Sequence, residues 1–191
     1  NVTDMSAMFS ELGIHRITEL DLGDKFDTSK VTYMHKMFDN CGVDTMTSLN
    51  LGDKFDTRNV IDMSYMFNSC GEAALTSLDL GDKFYTARVE NLDNMFLNCG
   101  GNSLAALDLG PVFTLNLIPE VDGIFNGMGI EGAVIYAPES IFSDEKHFKD
   151  ASNNITFECG RGTINPIYKP EFTKVSSSID TSNNYYNGPV R

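Results

Sequence analysis

Apolar positions recur along the chain in two rhythms. Leu49-Asn50-Leu51 alternates apolar and polar, as a half-buried strand requires, with Gly52 and Phe55 close behind. From Val60 the rhythm changes, and Val60, Met63, Met66 and Phe67 fall at helical spacing, which predicts a short helix or 3₁₀ segment. Thr57, or Ser29 at the position of Arg58 one copy earlier, stands where an N-cap belongs, and Cys70-Gly71 closes the segment.

The strand stretch is copied. Near-copies begin at Leu20 and Leu78 and a weaker one at Leu107, each 29 residues from the next, so complete copies occupy 20–48, 49–77 and 78–106. The chain opens on a partial copy, in which Val2, Met5, Met8 and Phe9 match Val31, Met34, Met37 and Phe38. A fixed period of this size predicts an α/β repeat, a stacked solenoid with a parallel sheet on one face and short helices or 3₁₀ segments on the other. In that arrangement Leu20/Leu22, Leu49/Leu51, Leu78/Leu80 and Leu107/Leu109 point inward, Phe26, Phe55, Phe84 and Phe113 tuck under the turn, and Ile17, Met46, Leu75 and Leu104 lead into each strand.

A C-terminal cap should close the stack. Pro111, Pro119 and Gly127-Met128-Gly129 erode the pattern, Val134-Ile135-Tyr136 reads as a final strand, 143–150 as a short helix with acidic residues early, and Ile155-Thr156-Phe157 as a closing strand. Residues 1–160 then form the solenoid with its cap. Residues 161–191, with Asn165-Pro166, Lys169-Pro170 and Ser176-Ser177-Ser178, read as a linker or the start of a following domain. The chain begins at Asn1 in the middle of a copy, without an initiator Met, as expected of a piece of a longer protein.

Three stretches carry a resemblance: Asn1-Val2-Thr3-Asp4-Met5-Ser6-Ala7-Met8-Phe9, its counterpart Lys30-Val31-Thr32-Tyr33-Met34-His35-Lys36-Met37-Phe38, and Asn59 to Phe67, each joined to Leu-Asp/Asn-Leu and the first two to Phe-Asp-Thr. Together they resemble the BspA-like leucine-rich repeats of bacterial surface proteins, a family also labelled DUF285, over roughly 1–136. The resemblance implies a leucine-rich-repeat solenoid displayed outside the cell, often in adhesins, with no shared catalytic residues; the 161–191 segment resembles the entry to an Ig-like stalk module. The repeat here is longer than the commonest form, the extra residues following Cys-Gly (Val43-Asp44-Thr45, Glu72-Ala73-Ala74, Gly101-Asn102-Ser103), so no relative's binding surface carries over.

Composition narrows the partners. The formal net charge of −13 repels phosphate backbones and anionic headgroups, so nucleic acid and membrane surfaces are poor partners, and no run of 18 apolar residues is present to span a bilayer. Capped ends predict a monomer.

Candidate chemistry is sparse. Cys41, Cys70 and Cys99 share one position in successive copies, with Leu12 and Met128 in that slot elsewhere, but zinc needs closely spaced pairs and none occurs, so buried free thiols and no metal are expected. Cys159 stands alone in the cap, where pairing with Cys99 is one option and a free thiol the other. Met5, Met8, Met34, Met37, Met63, Met66 and Met95 read as core, while His15 and His35 fall in exposed slots. An enzyme would have to use His147 and Cys159, without any supporting motif; no catalysis and no cofactor are expected. Asp24, Asp53 and Asp82 with Lys25, Lys54 and Lys83, and Asp27 and Asp56 beyond them, read as solvated turn residues.

The outward column of the strands is more informative. Asp21, Asn50, Asp79 and Asp108 alternate with buried leucines and so point away from the core, flanked by Glu19, Ser48, Ser77 and Ala106. Neighbours about 4.8 Å apart place Asp79 and Asp108 in mutual repulsion, which invites a cation, a basic side chain or a bound partner. The expected binding surface is therefore Asp21, Ser48, Asn50, Ser77, Asp79 and Asp108. It would serve adhesion to a protein or glycan on a host or neighbouring cell, the alternative being a spacer that holds another domain away from the cell wall.

Overall fold

The computed structural model describes residues 2–115, 117, 123–130, 132–138 and 141, together with the backbone of 156–159. The expected helix at 143–150, the residues 161–191, Pro119, His147 and the side chain of Cys159 lie outside the described residues.

Six short strands appear in chain order: β1 (Glu19–Asp21), β2 (Ser48–Asn50), β3 (Ser77–Asp79), β4 (Ala106–Asp108), β5 (Val134–Ala137) and β6 (Thr156–Cys159). All pairing is parallel, with β1 against β2 in one sheet and β3-β4-β5-β6 in another. The register keeps the copies aligned: Leu20 faces Leu49, and Leu78 faces Leu107. β2, β3 and β4 bury their middle leucines and turn the flanking residues outward, and the leucine just past the strand (Leu51, Leu80, Leu109) is buried as well. Leu20 and Leu22 are half-buried because the first strand has a neighbour on one side only.

The opposite side corrects the helical expectation. Among the described residues only Ile141 is helical, and the segment from Met63 to Cys70 is a run of turns. Its backbone bonds alternate in kind. Met63, Tyr65, Phe67 and Ser69 donate their N–H to Asn91, Asp93, Met95 and Leu97 of the next copy, while Met66, Asn68 and Cys70 donate back three residues to Met63, Tyr65 and Phe67. Thr57 is accordingly no N-cap: its hydroxyl donates to the Tyr85 carbonyl of the next copy at 2.7 Å. Overlapping turns of this kind need positive φ at alternate third corners. Tyr65 (φ 56°) and Ser69 (φ 49°) supply it, as Ala7 and Glu11, Lys36 and Asn40, and Asn94 and Asn98 do in the other copies. A side chain in that region costs on the order of 1 kcal/mol per residue, which the cross-copy bonds must offset. Gly127 and Gly129 therefore keep the pattern that they were expected to erode, since Gly127 takes the positive-φ position of Ser69 and Asn98, and Gly129 that of Gly71 and Gly100.

Between the two sides lies one apolar core. Phe9, Phe38, Phe67, Phe96 and Phe125 stack in a column with centroid spacings of 5.3 to 5.6 Å. A second column runs Phe55, Phe84, Phe113 at 6.3 and 6.4 Å. Met34, Met37, Met63, Met66, Met95, Cys41, Cys70 and Cys99 are wholly buried around them, whereas Met8 and Leu12 are exposed at the open end.

Candidate functional site

The outward strand column is first a structural device. Asp21, Asn50, Asp79 and Asp108 each accept, through Oδ1, the backbone N–H of the glycine two residues on, at 2.8 to 3.0 Å. Asp and Asn recur there because a short acceptor side chain closes this turn and sets up the positive-φ glycine behind it. The same residues stay accessible: Asp21, Ser48, Asn50, Ser77 and Asp79 are exposed, and Asp108 is half-buried.

The strands that carry these six residues fall in two hydrogen-bonded sheets. Asp21, Ser48 and Asn50 lie on the β1–β2 sheet, Ser77, Asp79 and Asp108 on the β3–β4 pair, and the sheet is interrupted between them. Leu22 and Leu80 donate their N–H across their seams, to Asn50 and Asp108 at 3.0 and 2.9 Å, but no such bond runs from Leu51 to Asp79. The glycines measure the gap. A Cβ on Gly52 would lie 2.1 Å from the Gly23 carbonyl oxygen and one on Gly110 2.2 Å from that of Gly81, whereas a Cβ on Gly81 would meet nothing within 4 Å.

A cleft of ≈ 580 Å³ fills that interruption. Leu49, Leu51, Phe55 and Leu80 form its floor, and Asn50, Asp53, Asp79, Asp82 and Lys83 its rim. The seam is closed below, where Phe55 stacks on Phe84 and the Lys83 ammonium donates to the Asp53 carbonyl at 2.9 Å. It is closed on the far side too, where the turns remain bonded.

One sequence difference borders the cleft. Asp27 and Asp56 accept the N–H of Ser29 and Arg58 through their carboxylates, but the third copy has Tyr85 at that position. Tyr85 N–H bonds Lys83 instead, and the Arg58 guanidinium lies 5.4 Å from its ring centroid. Asp56 is not the solvated turn residue expected: it is 6% exposed and ion-paired with Arg58 at 2.6 Å. Burial pushes its carboxyl upward, but the Arg58 hydrogen bonds and charge outweigh that and hold it below the usual carboxylate value.

The thiols of Cys41, Cys70 and Cys99 are free and buried, and burial pushes Cys41 up to about 11 and Cys99 to about 12, which keeps them protonated and unreactive. His15 contacts Asp44 at the surface. Among the described residues no three His, Cys, Asp or Glu side chains stand close enough to hold a metal ion, and no helix is long and apolar enough to cross a membrane.

Sequence reasoning placed the Asp/Asn column but missed the cleft beside it, because Leu51, Phe55 and Leu80 read as core and Asp53, Asp82 and Lys83 as ordinary turn residues. Tyr85 in place of an aspartate was the one available signal.

What these features define is a class of β-protein made of parallel, in-register segments joined by turns, with an exposed polar strand face. The family model described as "Mycoplasma protein of unknown function, DUF285" matches residues 3–103, and the chain belongs to that family. No curated protein and no solved structure matches it.

Proposed function

We propose that the chain is a BspA-like leucine-rich-repeat solenoid and serves as the recognition region of a bacterial cell-surface protein, adhering to a protein or glycan through its strand face. The observation that carries this reading is the row Asp21, Asn50, Asp79, Asp108, in which every side chain is oriented by a bond to the glycine two residues on and is kept accessible by small neighbours at Ser48 and Ser77. Ligand groups meet an array already ordered, so little side-chain entropy remains to be lost on binding. The solenoid reading draws support from the 29-residue register of the strands and the continuous Phe columns. It binds without chemistry of its own, outside the cell.

The test separates charge from structure. Asp79→Asn with Asp108→Asn keeps the oxygen that accepts the glycine N–H and removes the charge, while Asp79→Lys with Asp108→Lys reverses it. Attachment to host cells or matrix should fall about tenfold in the first pair and further in the second. Unchanged attachment in both would favour a second reading, a rigid spacer presenting another domain, for which the unbroken Phe stack is the supporting observation.

A further inference from the structure

Parallel strands in register normally satisfy each other, and a buried backbone N–H left over is rare. Leu51 is 4% exposed, yet among the described residues its N–H reaches no acceptor, because β2 and β3 have parted at the point where Leu22 and Leu80 bond across their own seams. The gap above it has an apolar floor and a rim carrying Asp53 and Asp82, both exposed, against one lysine, Lys83. An occupant that fits must bring a hydrogen-bond acceptor for Leu51, an aliphatic stem for Leu51 and Leu80, and a positive charge for the rim.

We propose that the β2–β3 cleft takes an arginine- or lysine-bearing peptide segment of a partner protein. A main-chain carbonyl of that segment accepts from Leu51 N–H, and its basic side chain lies along the leucines with its head at Asp53 and Asp82. Free anions and acidic peptides are excluded by the same rim. This assignment rests on the recognition reading and names the class of partner it uses, a protein rather than a glycan.

The test uses the whole 191-residue chain, with the probes acetyl-Val-Arg-Val-Arg-Val-amide and its glutamate counterpart. Amide spectra should show saturable shifts at Leu51, Gly52, Gly81 and Asp82 with the arginine peptide and none with the glutamate peptide. Asp53→Asn with Asp82→Asn should weaken the arginine peptide about tenfold, and raising the salt should weaken it as well. Shifts confined to β4 and β5, an unchanged affinity in the double variant, or no shift at millimolar peptide would each overturn the cleft assignment. If the Asp79 and Asp108 variants still abolish attachment in that event, the strand-face reading stands without the cleft; if they do not, the recognition reading falls by itself.

Discussion

The seam between β3 and β4 and the seam between β2 and β3 join copies of nearly the same sequence, yet one is closed and the other open. At the closed seam the Gly110 backbone rests against the Gly81 carbonyl, and Thr86 both donates to the Thr114 carbonyl and accepts the Thr114 N–H, at 2.5 and 2.7 Å. At the open seam a Cβ on Gly81 would meet nothing within 4 Å, and Thr57 keeps only its bond to the Tyr85 carbonyl. Both seams share the stacked phenylalanines, at 6.3 and 6.4 Å. The core thus holds the copies together whether or not their strands pair, so strand pairing is a local option of this fold and not its cement.

The largest effect that tests this contrast comes from the glycines. Gly110→Ala sets a methyl against a backbone oxygen at 2.2 Å in a positive-φ position and should cost about 3 kcal/mol in denaturant unfolding. Gly81→Ala meets only the φ penalty, roughly 1 kcal/mol, while the seam stays open. Equal losses would mean that the open seam closes in solution.

Smaller losses are expected from the threonines. Thr86→Val removes two bonds across a closed seam and takes the acceptor from the Thr114 N–H, for about 2 kcal/mol, whereas Thr57→Val removes one, for about 1 kcal/mol. The two unfolding midpoints, measured side by side, check the ordering, and a Thr57 loss as large as that of Thr86 would count against the difference.

The smallest effect is with pH. Asp56 is held below its ordinary value when folded, so its contribution is full above about pH 4 and is lost as pH falls through the folded value. Asp56→Asn should flatten that acid limb, seen as a thermal midpoint that changes less between pH 5 and pH 3. Tyr85, at the same position of the third copy, supplies no carboxylate there, so a Tyr85→Phe variant should leave the limb unaltered.

Much of this architecture was legible in the residues. Alternation placed β1 to β4 and turned Leu49, Leu78 and Leu107 inward, and the Met, Phe and Cys columns were recognisable as core. The turn side was not legible, because spacings such as Met63 to Met66 record how often a side chain returns to one side. They do not say whether the backbone bonds four residues back, as in a helix, or across to the next copy. Non-glycine residues at positive φ hid the answer further: Asn94 hints at a left-handed turn, but Lys36 and Tyr65, in the same column, do not. The open seam escaped because the residues around it repeat as faithfully as those at closed seams, apart from Tyr85.

The left-handed column has one further consequence. Ala7, Lys36, Tyr65 and Asn94 occupy it with side chains of very different size, charge and polarity, and the N–H groups of Ala7, Lys36 and Tyr65 bond to the main-chain carbonyls of His35, Ser64 and Asp93 in the next copy. A surface whose shape is written in the main chain leaves its side chains free to drift. Such a wall can change its outward face one residue at a time without disturbing the scaffold beneath.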